Sequence, residues 1–259
     1  MNYGLYLSAS GVLTNMYRQD VFANNLANVN TVGFKRDLAS LTSRDPESVE
    51  DDLGFDLRSD LLDALGGGVF AGPQRIDLSP GALERTGNPL DLALDGENAF
   101  FTVGVTNPGT GALETRLTRD GRFLRNEQGQ LVTAVTGYPV LNAENQPITL
   151  PAGETTIDKR GIVSVNGEPL AQVRVASVPD PSMLLKRGEN LLAYAGRGNL
   201  QSIANPSIHP GYLEQSTADP IKSLMSMISA TKAVSGNGSM MRYHDTLLDR
   251  AVNTFGRVG

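Results

Sequence analysis

Apolar residues fall at helical spacing in two stretches, one toward each end of the chain. The first runs through Leu5, Ala9, Val12, Met16, Gln19, Ala23 and Leu26, steps of four and three held for three heptads with Gln19 as the polar member. The pattern gives out at Asn28, and Gly33 lies just beyond; both residue types suit a helix end. In the second stretch Asp219 and Pro220, an N-cap and first-turn pair, precede Ile221, Leu224, Met225 and Ile228. The stripe resumes at Met240/Met241, His244, Leu247/Leu248, Ala251, Val252 and Phe255. Between them lies Ser235-Gly236-Asn237-Gly238-Ser239. Each Gly costs about 1 kcal/mol in a helix interior, so the second helix is expected to weaken or break near 236–238.

The middle of the chain follows a different period. Leu90, Leu92 and Leu94 alternate with Asp91, Ala93 and Asp95, and Gly96-Glu97-Asn98 then turns into Phe100-Phe101-Thr102-Val103. Asn107-Pro108-Gly109, Asp120-Gly121, Gln128-Gly129, Gly137 and Asn166-Gly167 punctuate further short β-prone runs. Asn166-Gly167, set between Ile162–Val165 and Val173-Arg174-Val175, is a strong hairpin signal. The expected class is α+β: N- and C-terminal helices pairing as a coiled-coil-like assembly domain, with a central antiparallel β domain built as a barrel or a sandwich. The boundaries read as 1–36 for the N-terminal helix and the Asn-rich run at its end, 37–88 for an extended acidic and Gly-rich connector, 89–200 for the β domain, and 201–259 for the return segment and C-terminal helix.

Ordering a helix of about 22 residues costs on the order of 25–40 kcal/mol of backbone entropy. Burying six side chains at about 1.5–3 kcal/mol each offsets part of that. The two helices are therefore expected to need each other and neighbouring subunits, and to be loose in a free monomer.

Composition removes several function classes. The 259 residues include no Cys and two His, which excludes disulfide scaffolds, thiolate metal sites and Cys nucleophiles. The 28 Gly and 14 Pro mark a turn-rich chain. The net charge of −6 is uneven: residues 45–63 carry eight acids against one base, Arg58, whereas 221–259 carry five bases and two acids. No basic stripe points to nucleic acid, and no apolar run of 18 or more residues points to membrane insertion. The uncharged start through Tyr17 lacks the positive region of a secretory signal, so a cleaved signal peptide is not expected.

The search for a catalytic, cofactor or metal site ends empty. The nucleophile elbow, the P-loop, the zincin motif and the dinucleotide fingerprint are all missing. Gly196-Arg197-Gly198 meets Gln201 where a third Gly belongs, and reads as a turn. His209 reads as structural, His244-Asp245 as a partner-facing polar position. Asp91 and Asp95-Gly96 resemble the start of a calcium loop, but Ala93 occupies a ligand position. The acidic stretch could bind cations or a basic partner, or simply be solvated. The helical stripes suit packing between chains, with a monomer's own core as the plainer reading.

One run of residues goes further. Asp20-Val-Phe-Ala-Asn24-Asn25-Leu26-Ala27-Asn28-Val-Asn-Thr31-Val-Gly33-Phe34-Lys35-Arg36 resembles the signature of the bacterial flagellar rod and hook proteins. Asp77–Gly96, Phe100-Phe101, Leu117–Phe123, Gly137–Val140, Gly188-Glu189-Asn190 and Gly211–Ser216 with Asp219-Pro220 continue the likeness in order. Only 37–76 has no counterpart. The resemblance implies an axial structural protein rather than an enzyme, exported unfolded by the flagellar type III apparatus and assembled helically into the periplasm-spanning rod of the basal body. Its partners would be copies of itself and other rod and hook proteins. The terminal helices would line the export channel, with Leu5, Val12, Met16, Leu26, Leu224, Ile228, Leu247 and Val252 in the packing between subunits. In the signature, the amides of Asn24, Asn25 and Asn28 would bond at the helix end and between chains, Thr31 and Gly33 would shape the exit turn, and Phe34 would anchor it. The ending Asp249–Gly259 is similar to the proximal-rod branch. The alternatives are a distal rod protein, a secreted β-rich binding module, and an acid-dependent hydrolase built on the Asp-rich stretch.

Overall fold

The computed structural model describes residues 3–45, 66–107, 109 and 111–255. Residues 46–63 of the acidic stretch, and the last four residues of the chain, lie outside them. The chain is of the α+β class and divides into two compact units, one of Met1–Ala27, Asp37–Arg75 and Asp219–Gly259, the other of Asn28–Arg36 and Ile76–Ala218.

The first unit holds α1 (Tyr3–Ala27), β1 (Asp37–Leu38), β2 (Leu41–Ser43), β3 (Val69–Ala71) and α2 (Pro220–Phe255). β2 and β3 pair antiparallel, Thr42 opposite Phe70, and the Thr14 hydroxyl of α1 donates to the Val69 carbonyl at 2.9 Å. Part of the stretch expected to be an extended connector is thus short strand. α2 starts where Asp219-Pro220 marks it: the Asp219 carboxylate accepts the Ile221 and Lys222 amides at 2.9 and 3.0 Å.

The expected break near 236–238 does not occur, for α2 runs unbroken through 36 residues. Unlike proline, glycine keeps its N–H and so does not interrupt the helical ladder; its cost is local and entropic. The Ser239 hydroxyl bridges the segment by donating to the Ser235 carbonyl at 3.0 Å. A Cβ added at Gly236 or Gly238 would meet nothing within 4 Å. Gly236→Ala and Gly238→Ala are therefore expected to stabilise the helix by about 1 kcal/mol each, read as a higher midpoint of thermal unfolding followed by far-UV circular dichroism.

The second unit is built mainly of antiparallel strands, with one 3-10 turn at Pro181–Met183. β4 (Arg75–Ile76) enters it, followed by β5 (Leu83–Arg85), β6 (Leu92–Leu94), β7 (Phe100–Thr106), β8 (Leu113–Thr118), β9 (Phe123–Arg125) and β10 (Leu131–Thr133). β11 (Thr155–Ile157), β12 (Ile162–Val165), β13 (Glu168–Gln172), β14 (Val175–Ser177), β15 (Leu184–Lys186), β16 (Leu191–Tyr194), β17 (Gln201–Ser202), β18 (Ile208–Pro210) and β19 (Tyr212–Glu214) complete it. The largest sheet has the order β15-β16-β8-β7-β14-β17. Its core gathers Leu92, Phe101, Val103, Phe123, Leu131, Val140 and Val173, with the Phe101 and Phe123 rings edge to face at 5.1 Å.

Asn166-Gly167 forms the tight β12–β13 hairpin, with φ of 51° and 85°. The returning strand begins at Glu168, earlier than the Val173–Val175 run that the alternation singles out. That run feeds β14 in the large sheet instead. Chain return brings β18 against β6, with His209 opposite Ala93, and β19 against β5, with Glu214 opposite Leu83. Asp91 and Asp95 thus flank a buried strand. Asp95 accepts from Ser207 at 3.0 Å and meets the His209 imidazole at 2.8 Å, contacts that hold its carboxyl below the usual range.

Candidate assembly surface

Small and polar residues form the seam between α1 and α2. A Cβ built on Gly4 would stand 2.6 Å from the His244 imidazole, and one on Gly11 would stand 2.5 Å from Asn237 Nδ2. As the α1 number rises by seven the α2 number falls by seven, so the helices run antiparallel. Extending that register by whole heptads carries Arg18 opposite Ala230 and Asn25 opposite Ser223. Ala230, Asn25 and Ser223 are all buried. His244, singled out as a partner-facing polar residue, lies over the backbone of α1 in its own chain.

The α1 stripe and the first part of the α2 stripe point elsewhere. At about 100° per residue, the stripe from Leu5 to Leu26 lies roughly 170° around α1 from Thr14, Val21 and Asn25, which are buried. On α2, Ile221, Leu224, Met225 and Ile228 lie on the side away from Ser223 and Ala230. Five of the eight residues singled out for packing between subunits are exposed in the single chain: Met16 at 49%, Leu224 at 44%, Ile228 at 47%, Leu247 at 61% and Val252 at 70%. Leu5, Val12 and Leu26 are half-buried. Tyr6, Leu13, Met225 and Tyr243 widen the exposed apolar area.

The signature run straddles both units. In the first, Asn25 is buried and its amide clasps the backbone of Asp37 at both ends, donating to the carbonyl and accepting from the N–H at 2.8 Å each. Asn24 is exposed. In the second, Asn28 opens the exit turn: its carbonyl accepts the Thr31 amide and its side-chain oxygen accepts the Thr31 hydroxyl, both at 3.1 Å. Gly33 sits at φ 68° and donates to the Glu214 carbonyl at 2.7 Å. A Cβ there would fall onto the Arg119 carbonyl group, so both conformation and space require glycine. Phe34 is buried, with the Lys186 ammonium 3.8 Å from its ring centroid.

Comparison with known proteins decides the family. Residues 5–35 match the family described as flagella basal body rod protein, and residues 93–165 match that of the flagellar hook protein FlgE/F/G D1 domain. The chain is 31% identical over 260 residues to the flagellar basal-body rod protein FlgF of Rhizobium meliloti (strain 1021), with 99% of each chain covered. To FlgF of Caulobacter vibrioides it is 32% identical over the whole of both chains. To FlgG of the same organism it is 32% identical, over 94% of this chain and 96% of the other. The chain belongs to the flagellar basal-body rod protein family.

At the centre of this rod protein's second unit lies an ionic cluster that no spacing in the sequence announces. The Lys35 ammonium is 2.6 Å from Glu214 Oε1, and Arg119 Nη1 is 3.2 Å from Glu214 Oε2. All three side chains are at most 2% exposed. Glu214 Oε1 also accepts the Gly81 amide at 2.8 Å. Arg119 reaches on to the Gly96 and Glu97 carbonyls and lies over the Phe100 ring. Burial pulls the Lys35 ammonium below the usual lysine range, and the Glu214 carboxylate beside it opposes that pull. Lys35 closes the first matched segment, Arg119 stands inside the second, and Glu214 lies beyond both. Lys35, which ends the uncharged run from Val21 to Phe34, is the one local signal that could have marked a member of the cluster.

Proposed function

We propose that this protein is a non-enzymatic structural subunit of the proximal part of the rod, polymerising helically through its terminal helices. The observation that carries this reading is the outward placement of two apolar stripes. Met16, Leu224 and Ile228 stay exposed although the helices that bear them are already paired, and Leu247 and Val252 are exposed on the part of α2 beyond the His244–Gly4 contact. Each such side chain gains about 1.5–3 kcal/mol on full burial, and a coiled-coil-like contact with neighbouring subunits supplies that burial. Leu5, Val12 and Leu26 complete the α1 side of the contact. Asn24 lies at an exposed position in the signature.

The remaining roles rest on family resemblance and on the chain's chemistry. Copies of itself and other rod and hook proteins are the partners. A tube lined by the terminal helices gives the export channel, and the packed helices transmit torque. The absence of Cys suits a chain that passes the type III apparatus unfolded and ends in an oxidising periplasm. No helix among the described residues is long and apolar enough to cross a membrane. The proximal position is supported by the ending Ala251-Val252-Asn253 and Gly256-Arg257-Val258, which is similar to that branch.

Electron microscopy of purified basal bodies carrying an epitope on this chain tests the position. Label next to the membrane ring is expected. Label at the hook-side end would make the protein a distal rod subunit, and a complete rod without label would remove it from the rod.

A further inference from the structure

We propose that a cationic cleft on the second unit binds the acidic stretch 45–63 of a second copy of the chain. The cleft has a volume of about 500 Å³ and is lined by Thr115, Arg116, Asn145, Arg174, Tyr194 and Asn199 among others. No acid is among the described lining residues. Arg174 Nε is buried with no hydrogen-bond partner among the described residues, an unmet donor that costs free energy. Arg197 stands between two lining glycines, Gly196 and Gly198, and is itself exposed. Glu114, two residues from Arg116, is held by the Asn107 amide at 2.5 Å and by Arg116 itself. Two guanidinium groups, two side-chain amides and a phenol therefore surround an open polar cleft. Arginine forks pair with carboxylates in two parallel bonds, so the ligand this chemistry selects is an acidic peptide.

The chain supplies one. Residues 45–63 carry Asp45, Glu47, Glu50, Asp51, Asp52, Asp56, Asp60 and Asp63 against Arg58 alone, and the rest of the sequence is close to neutral. A patch and its complement on the same chain, joined between copies, make a head-to-tail contact that repeats along a polymer. Docking within one chain would neutralise both partners and leave the polymer nothing. The choice of a second copy rests on the rod-subunit reading; the cleft and its acidic ligand do not.

The test is a titration of a fluorescently labelled synthetic peptide spanning residues 45–63 with the full-length protein at concentrations where it is monomeric, read by anisotropy. Saturable binding is expected, falling steeply as salt rises toward physiological strength. A peptide with every Asp and Glu changed to Asn and Gln should not bind. Arg116→Gln, which removes a charge-assisted contact, and Asn199→Glu, which sets a repelling carboxylate at an exposed rim position, should each weaken binding about tenfold; circular dichroism confirms that both variants fold. Equal binding by the neutralised peptide, unchanged binding by both variants, or no binding to any form of the protein overturns the site. Binding only after residues 46–63 are deleted from the protein puts the stretch in its own cleft and overturns the second-copy assignment. The titration does not require assembly, so its failure leaves the rod reading to the microscopy of labelled basal bodies.

Discussion

Changing Glu214 to Gln is expected to destabilise the second unit by about 3–5 kcal/mol, the cost of breaking a buried ion pair by removing one partner. The carboxylate faces the Lys35 ammonium at 2.6 Å and the Arg119 guanidinium at 3.2 Å, with all three side chains shut off from water. Glutamine keeps the shape and one acceptor for the Gly81 amide but leaves two buried cations without a counter-charge. Lys35→Met should cost less, since Arg119 and Glu214 remain paired and a methionine fills much of the lysine's volume. Lys35→Met combined with Glu214→Gln should cost less than the sum of the two, because the double variant carries one buried cation instead of two. Urea unfolding followed by circular dichroism measures all three. A loss below about 1 kcal/mol for Glu214→Gln would show the cluster to be indifferent to its charge.

The cluster also sets a pH dependence. The folded state holds Lys35 below its ordinary pKa of 10.5, mainly through burial. In the window between the folded pKa and 10.5 the unfolded chain binds more protons, so the contribution of Lys35 to stability rises with pH there. The difference in stability between the native protein and Lys35→Met isolates that rise from the ionisation of tyrosines.

Met16→Asp together with Ile228→Asp is expected to abolish assembly while leaving the folded monomer nearly as stable as before. Both residues are about half exposed, and neither belongs to the seam of Gly4, Gly11, Asn237 and His244. Exposed substitutions away from such features move stability by about 0.5 kcal/mol or less. In a polymer that buries the stripes, the same changes put a carboxylate into an apolar contact on every subunit. A buried unpaired charge costs several kcal/mol at each interface, enough to dissolve a structure built from repeats of that contact. Sedimentation of purified protein under polymerising conditions should show the native chain pelleting and the double variant remaining soluble.

Different parts of this architecture were legible to different degrees. The terminal helices follow from their 3.6-residue period, and the β12–β13 hairpin from Asn166-Gly167, because both signals are local. The continuity of α2 through Gly236 and Gly238 was not legible: a per-residue propensity cost says nothing of the cooperativity that carries a long helix across it. Periodicity found the apolar stripes but not the seam, since Gly4, Gly11, Ala230 and Asn237 have no hydrophobic signature and pack by being small or polar. The ionic cluster was hidden for a topological reason. Lys35 and Glu214 are 179 residues apart and Arg119 is 95 from Glu214, so only the closed fold brings them together. The signature residues were visible as a family pattern, yet the pattern alone did not distinguish Asn25, which clasps Asp37, from Asn28, which shapes the exit turn.

The most direct measurement of the central claim, that the terminal helices build the rod, is swarming motility in a strain whose own gene is replaced by one encoding the chain without residues 1–30. Loss of motility, with motility restored by the full-length gene, is the predicted result. A strain that swims normally on the truncated chain would contradict the account, because a subunit joined through those helices cannot assemble without one of them.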